Sequence, residues 1–187
     1  MGPQSGSHSR SFGPPLCSPF HGLTELFTWA GQSQIKLGIF TSGSPHHIIR
    51  NFGVSLPVLG YTDLFRSQEG GIYERLQAFI ARAKAVYGMP SFSIVTCEDV
   101  TKTKPDPEGI LRLLDTLGIS ADEAVALGDH PFDMQAANSA HVHPIGISHG
   151  FGLPDDLTDA GAIRIVDDLA SLPKLIEDHN NGSQILF

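Results

Sequence analysis

Residues 124–127 are apolar without interruption, and Gly128-Asp129 follows at once. A four-residue apolar run with no polar alternation suits a strand covered on both faces, and only a parallel sheet flanked by helices covers strands that way. Three further stretches read as strands, Ile35 to Phe40, Phe92 to Cys97 and Ala162 to Val166, with His143 to Ile147 between the last two. Helical patterns separate them. Leu76, Phe79, Ile80, Ala83 and Tyr87 share one face of a helix over 73–87, ended by Gly88, and Ile110, Leu111, Leu114 and Leu117 line another, ended by Gly118. A helix over 22–29, one opened by Ser44-Pro45, one over 133–140 and one over 169–177 complete the alternation. Asp106 is expected to cap the helix that carries Pro107 in its first turn and stops at Gly118, and Asp167-Asp168 the last one. The expected fold class is α/β, a doubly wound parallel sheet.

Composition narrows the partners. With 41% hydrophobic and 17% charged residues the chain is globular, and its net charge of −8 opposes a nucleic-acid or anionic-membrane surface, both of which require a basic patch. Cys17 and Cys97 make no disulfide framework, and no apolar run approaches the length of a membrane span. Without a secretory signal pattern, the expected location is cytoplasmic. Residues 1–19, rich in Gly, Ser and Pro, read as a flexible tail. Residues 20–179 read as one core domain with an irregular insertion at about 52–71, and residues 180–187 as a C-terminal tail.

In an open parallel sheet, ligands gather beyond the carboxyl ends of the strands. Thr41, Lys104 and Asp129 each lie just past such an end, in three separate units. Thr41 with the amides of Ser42 and Gly43 suits the oxygens of a phosphoryl group, and Lys104 is a compact positive charge for the same group. Asp129 and Asp133 place two hard carboxylate ligands at the mouth of one strand, which suits Mg²⁺ when substrate phosphate completes its shell. Asp133 has a second reading, as a cap of its own helix. His141, His143 and His149 suggest a transition-metal cluster only weakly beside these carboxylates, and His46-His47 reads as a helix surface.

The segments 35–44, 100–133 and 145–177 resemble the haloacid dehalogenase superfamily, in its phosphoglycolate-phosphatase-like branch. The residues that carry the likeness are Thr41, Lys104 in Lys104-Pro105-Asp106-Pro107, and Gly128-Asp129-His130-Pro131-Phe132-Asp133, with Ser148-His149-Gly150-Phe151-Gly152 after the penultimate strand. The resemblance implies a Mg²⁺-dependent phosphatase acting on a small phosphomonoester. Thr41 and Lys104 would be catalytic, Thr41, Ser42, Gly43 and Lys104 phosphate-binding, and Asp129 and Asp133 metal-binding. Lys104 would stabilise a phosphoaspartyl intermediate.

The family's nucleophilic aspartate, its strand and the following cap have no counterpart, since no aspartate precedes Asp63. The expectation is therefore a sheet lacking its first central strand, in a truncated chain that is weakly active or inactive. The alternative is a non-catalytic phosphate- or partner-binding module. Buried strand edges left by that loss cost about 1–3 kcal/mol for each unpaired group. The remaining strands would then close up, take a strand from a homo-oligomer or another strand-donating partner, or fold poorly.

Overall fold

The computed structural model describes residues 22–56, 59, 70–148 and 150–180. The expected N-terminal tail, residues 181–187 of the expected C-terminal tail, most of the expected insertion and His149 lie outside the described residues, while Asn180, expected in the tail, ends the last helix. Helix α1 (Leu23–Gln32) is followed by β1 (Leu37–Phe40) and α2 (Pro45–Ser55), then α3 (Ile72–Tyr87), β2 (Phe92–Val95) and α4 (Glu108–Leu117). β3 (Val125–Gly128), α5 (Pro131–Ser139), β4 (His143–Ile147), α6 (Pro154–Asp159), β5 (Arg164–Val166) and α7 (Leu172–Asn180) complete it.

All pairing is parallel, as the apolar runs imply. It falls into two sheets: β1 with β2, in register from Leu37 opposite Phe92 to Phe40 opposite Val95, and β3-β4-β5, with Val125 opposite His143 and Ile145 opposite Arg164. Among the described residues β1 and β3 do not pair with each other. The two sheets have not closed up, and a cavity of about 490 Å³ separates the β1 edge from the β3 edge. Ile110, Leu113 and Leu114 of α4 and Leu172 and Ile176 of α7 line it.

Several boundaries shift for local reasons. α2 continues through residues 52–55, which were expected to begin the irregular insertion. Pro131, at the first position of α5, starts that helix two residues before Asp133. α4 starts at Glu108, whose amide donates to Asp106 Oδ1 at 3.0 Å, so Asp106 does cap this helix. Asp168 Oδ1 accepts from the Ala170 amide at 2.9 Å and caps a short 3₁₀ turn at Leu169–Ser171 ahead of α7, while Asp167 accepts from Ser148 Oγ.

The larger core cluster joins α1, α2 and α3 to β2, β4 and β5. Phe27 is its aromatic centre, 1% exposed, edge-on to Tyr87 at 5.3 Å and to Phe92 at 5.6 Å between ring centroids. Leu76, Phe79 and Ile80 of α3 are buried as their helical spacing requires. Phe27→Ala removes both ring contacts at a site with no room to collapse. It is expected to cost about 3–5 kcal/mol, read as a fall in denaturant midpoint at unchanged slope.

Candidate functional site

Thr41 is the first residue past β1. Its amide donates to Val95 O at 3.0 Å, and its hydroxyl oxygen accepts from the Gly43 amide at 3.0 Å, which folds 41–43 into a tight turn before α2. That bond uses a lone pair, and the hydroxyl proton remains available to an incoming oxygen. Gly43 O accepts from the Cys97 amide at 3.3 Å, tying this turn to the loop after β2. Ser42 is exposed at the tip.

Lys104 comes from the loop between β2 and α4 and lies over the Phe40 ring, 4.9 Å from its centroid. Its ammonium pairs with Asp133 Oδ1 at 2.8 Å, with the two side chains 19% and 13% exposed. Thus a residue following β2 meets a residue following β3, across the line that divides the two sheets.

Asp133 does both things its position allows. Oδ2 accepts from the His130 amide at 3.0 Å, closing a reciprocal cap in which His130 Nδ1 accepts from the Phe132 amide. Oδ1 meanwhile holds Lys104. Gly128 permits this approach, because a Cβ there would overlap the Asp133 carboxylate. Asp129 stands one residue past β3, where its Oδ2 accepts from the Phe151 amide at 3.1 Å and its carbonyl from the Gly152 amide at 2.7 Å. Gly150 lies close enough over this carboxylate that a Cβ would collide with it. Asp129 is therefore oriented by the turn after β4, with Oδ1 outside these contacts.

The structure thus brings Lys104, Asp133 and Phe40 into contact and holds Asp129 and Thr41 at the ends of the strands on either side. His143 stands at the amino end of β4 and His141 just before it, at the opposite end of β4 from Asp129. Among the described residues no group of three or more histidine, cysteine, aspartate or glutamate side chains is arranged to hold a metal. Mg²⁺ needs less from the protein, since it keeps waters and substrate oxygens and takes one or two carboxylates. Asp129, whose Oδ1 takes no part in those hydrogen bonds, has the donor chemistry for that requirement. Asp99 is committed elsewhere: its Oδ2 accepts from the amide and hydroxyl of the fully buried Thr96, at 2.7 and 2.6 Å.

Glu108 is a residue that sequence reasoning missed. From the first turn of α4 its carboxylate accepts from the Thr101 hydroxyl at 2.6 Å, the Thr101 amide at 3.0 Å and the Lys102 amide at 3.0 Å. It pins the loop that presents Lys104. The sequence signal was an acidic residue opening a helix directly after a Thr-rich loop.

Residues 89–147, which contain Lys104, Asp129 and Asp133, match the family model described as haloacid dehalogenase-like hydrolase. Over those residues the chain is similar to the haloacid dehalogenase-like hydrolases. It is 36% identical over 83 residues to a phosphoglycolate phosphatase of Rhodospirillum rubrum, a match covering 44% of this chain and 34% of that protein. It is 26% identical over 179 residues to a 5'-nucleotidase of Pseudomonas aeruginosa, covering 89% and 77%. The chain thus spans about a third of the length of the first of these relatives. A solved beta-phosphoglucomutase from Clostridium difficile shares the fold, with a TM-score of 0.55 at 18% identity over 88% of this chain and 57% of that one. The α/β core with parallel strands expected from the alternating pattern is the fold found. Among the described residues no helix is long and apolar enough to cross a membrane.

Hydrogen bonds from the Thr101 hydroxyl and amide hold the Glu108 carboxyl down to about 2, from an ordinary 4.5. A depressed acid stabilises the fold above its unfolded value, so this contribution is complete above pH about 4.5 and disappears as pH falls through about 2. A carbon-detected NMR titration should place the Glu108 midpoint near 2. In Thr101→Val, which lacks the hydroxyl, the midpoint should move back toward 4.5.

Proposed function

We propose that this chain carries the phosphate- and Mg²⁺-binding half of a phosphatase site for a small phosphomonoester. The observation behind this reading is the contact of Lys104 with Asp133 at the strand ends, with Asp129 and Thr41 held on either side. Phosphoryl transfer asks the protein chiefly for positioning and charge, and a lysine, a hydroxyl with a turn amide and a pair of carboxylates are the groups it uses. The relatives named for phosphatase and nucleotidase activity support the substrate class.

In this reading the Thr41 hydroxyl and the Ser42 amide bind phosphoryl oxygens on one side, with the Gly43 amide holding the Thr41 oxygen in the turn, and Lys104 binds on the other. Asp133 aims Lys104 through their ion pair, and Glu108 holds the loop behind it. Asp129 would hold Mg²⁺, supported by Asp133; the ion, when bound, neutralises phosphoryl charge. Asp99 is bonded to Thr96, Asp133 to Lys104 and the His130 amide, and Asp129 to the Phe151 amide with its Oδ1 left for Mg²⁺, so this reading gives none of the three the role of nucleophile. Little turnover is therefore proposed for this chain by itself, and the same groups suit a phosphate-binding module. A nucleophilic carboxylate would have to be brought to the strand ends from another segment.

Calorimetric titration of the folded chain with inorganic phosphate should show binding that requires Mg²⁺. That binding should weaken about tenfold or more in Asp129→Asn and in Lys104→Met, the scale of one charge-assisted contact. Aryl phosphate hydrolysis should stay near the buffer rate in all three proteins. Phosphate binding indifferent to Mg²⁺ and to both substitutions would end this reading.

A further inference from the structure

Among the described residues only two phenylalanines are exposed, Phe132 at 47% and Phe151 at 83%, and both adjoin Asp129. Leu153, 68% exposed, follows Phe151 at the start of α6. Single apolar residues scattered over a surface need no explanation, whereas a group of them beside convergent polar groups is the usual make-up of a ligand-binding surface. Neither phenylalanine belongs to a core cluster, so packing of the core does not account for them.

Backbone contacts bring these residues to one place. Phe132 lies in the first turn of α5, and its ring packs on the exposed His130 ring with centroids 4.7 Å apart. The Phe132 amide donates to His130 Nδ1 at 3.1 Å, so the helix cap fixes this pair from beneath. Phe151 arrives from the turn after β4. Its amide donates to Asp129 Oδ2 at 3.1 Å, and the next amide, that of Gly152, donates to the Asp129 carbonyl at 2.7 Å. A Cβ on Gly152 would stand 3.3 Å from Pro131 Cδ, and one on Gly150 would collide with the Asp129 carboxylate. The turn that carries Phe151 therefore lies directly on residues 129–131. Three aromatic rings rise from backbone that adjoins the residue proposed to hold Mg²⁺.

We propose that His130, Phe132 and Phe151 form an aromatic platform for the leaving-group end of the substrate, so that the site prefers phosphomonoesters whose alcohol carries an aromatic ring. The inference rests on the proposed phosphate site, which would hold the other end of the same molecule. Aromatic rings meet best edge-to-face or offset, and a phenylalanine has few rotamers to freeze when a ligand covers it. The two phenylalanines offer no hydrogen bond, so they select for a flat apolar ring and not for a pattern of ring substituents. A small aliphatic alcohol would leave both of them in water.

The test is calorimetric titration of the full chain, with Mg²⁺ present, against methyl, cyclohexyl and phenyl phosphate. Phenyl phosphate is expected to bind about fivefold or more tighter than methyl phosphate and about threefold tighter than cyclohexyl phosphate, the scale of one or two aromatic contacts. Phe132→Leu and Phe151→Leu each keep an apolar side chain and should each cut the phenyl-to-methyl ratio about threefold. The ratio compares two ligands on one protein, so a variant that merely folds less well leaves it unmoved. Three results would overturn the proposal: equal affinity for phenyl and methyl phosphate, cyclohexyl phosphate binding as tightly as phenyl, or a ratio that neither substitution moves. In the last case, self-association of the parent that Phe151→Leu abolishes in sedimentation velocity would assign the patch to contact between copies of the chain. Failure of methyl phosphate itself to bind would sink the phosphate reading, and this inference with it, so the two failures are distinguishable.

Discussion

The Lys104–Asp133 ion pair is the contact on which the site depends. At 2.8 Å and mostly buried, it joins the loop after β2 to the helix after β3. Each partner is held by its own half of the fold: Glu108 pins the loop behind Lys104, and the His130 amide fixes the second oxygen of Asp133. An exposed pair of this kind contributes about 0–1 kcal/mol, but a shielded one punishes the loss of either partner far more than that, because the survivor keeps an unpaired charge. The pair is therefore a positional device, setting a positive charge against carboxylates where the two sheets face each other.

The same division explains why the strand edges matter. Parallel strands obtain stability by being covered on both faces and paired on both edges. Here α4 lies against one face of the gap, and α1 and α7 against the other, while among the described residues β1 and β3 each pair on one side only. The helices keep the gap at a distance that strand-to-strand closure would erase. Thr41 and Asp129 stand at the ends of these same strands.

Much of this was legible from residues. The wholly apolar 124–127 run followed by Gly128-Asp129 marked a strand, whose Val125, Ala126 and Leu127 are half-buried, and what stands at its end. The helical spacing of Leu76, Phe79 and Ile80 gave the buried face of α3, and Pro131 and Glu108 moved helix starts by only a residue or two. Glu108 escaped notice because its importance lies in the backbone amides it accepts from across a loop, and no local pattern reports those. The extension of α2 through 52–55 was missed because that stretch lacks a hydrophobic period, and the propensity of a short segment is a weak guide beside the packing around it.

By itself, then, the sequence determined that short apolar strands alternate with helices, that their pairing is parallel, and that Thr41, Lys104, Asp129 and Asp133 stand just past strand ends. Local spacing and side-chain chemistry suffice for that. Only the tertiary structure decided that Asp133 spends one oxygen on its own helix and the other on Lys104, that Asp129 is turned by the loop at Phe151, and that β1 and β3 remain apart. Those outcomes depend on distances between segments far apart in the chain, which are set by how helices pack across sheets and not by any residue's neighbours in sequence.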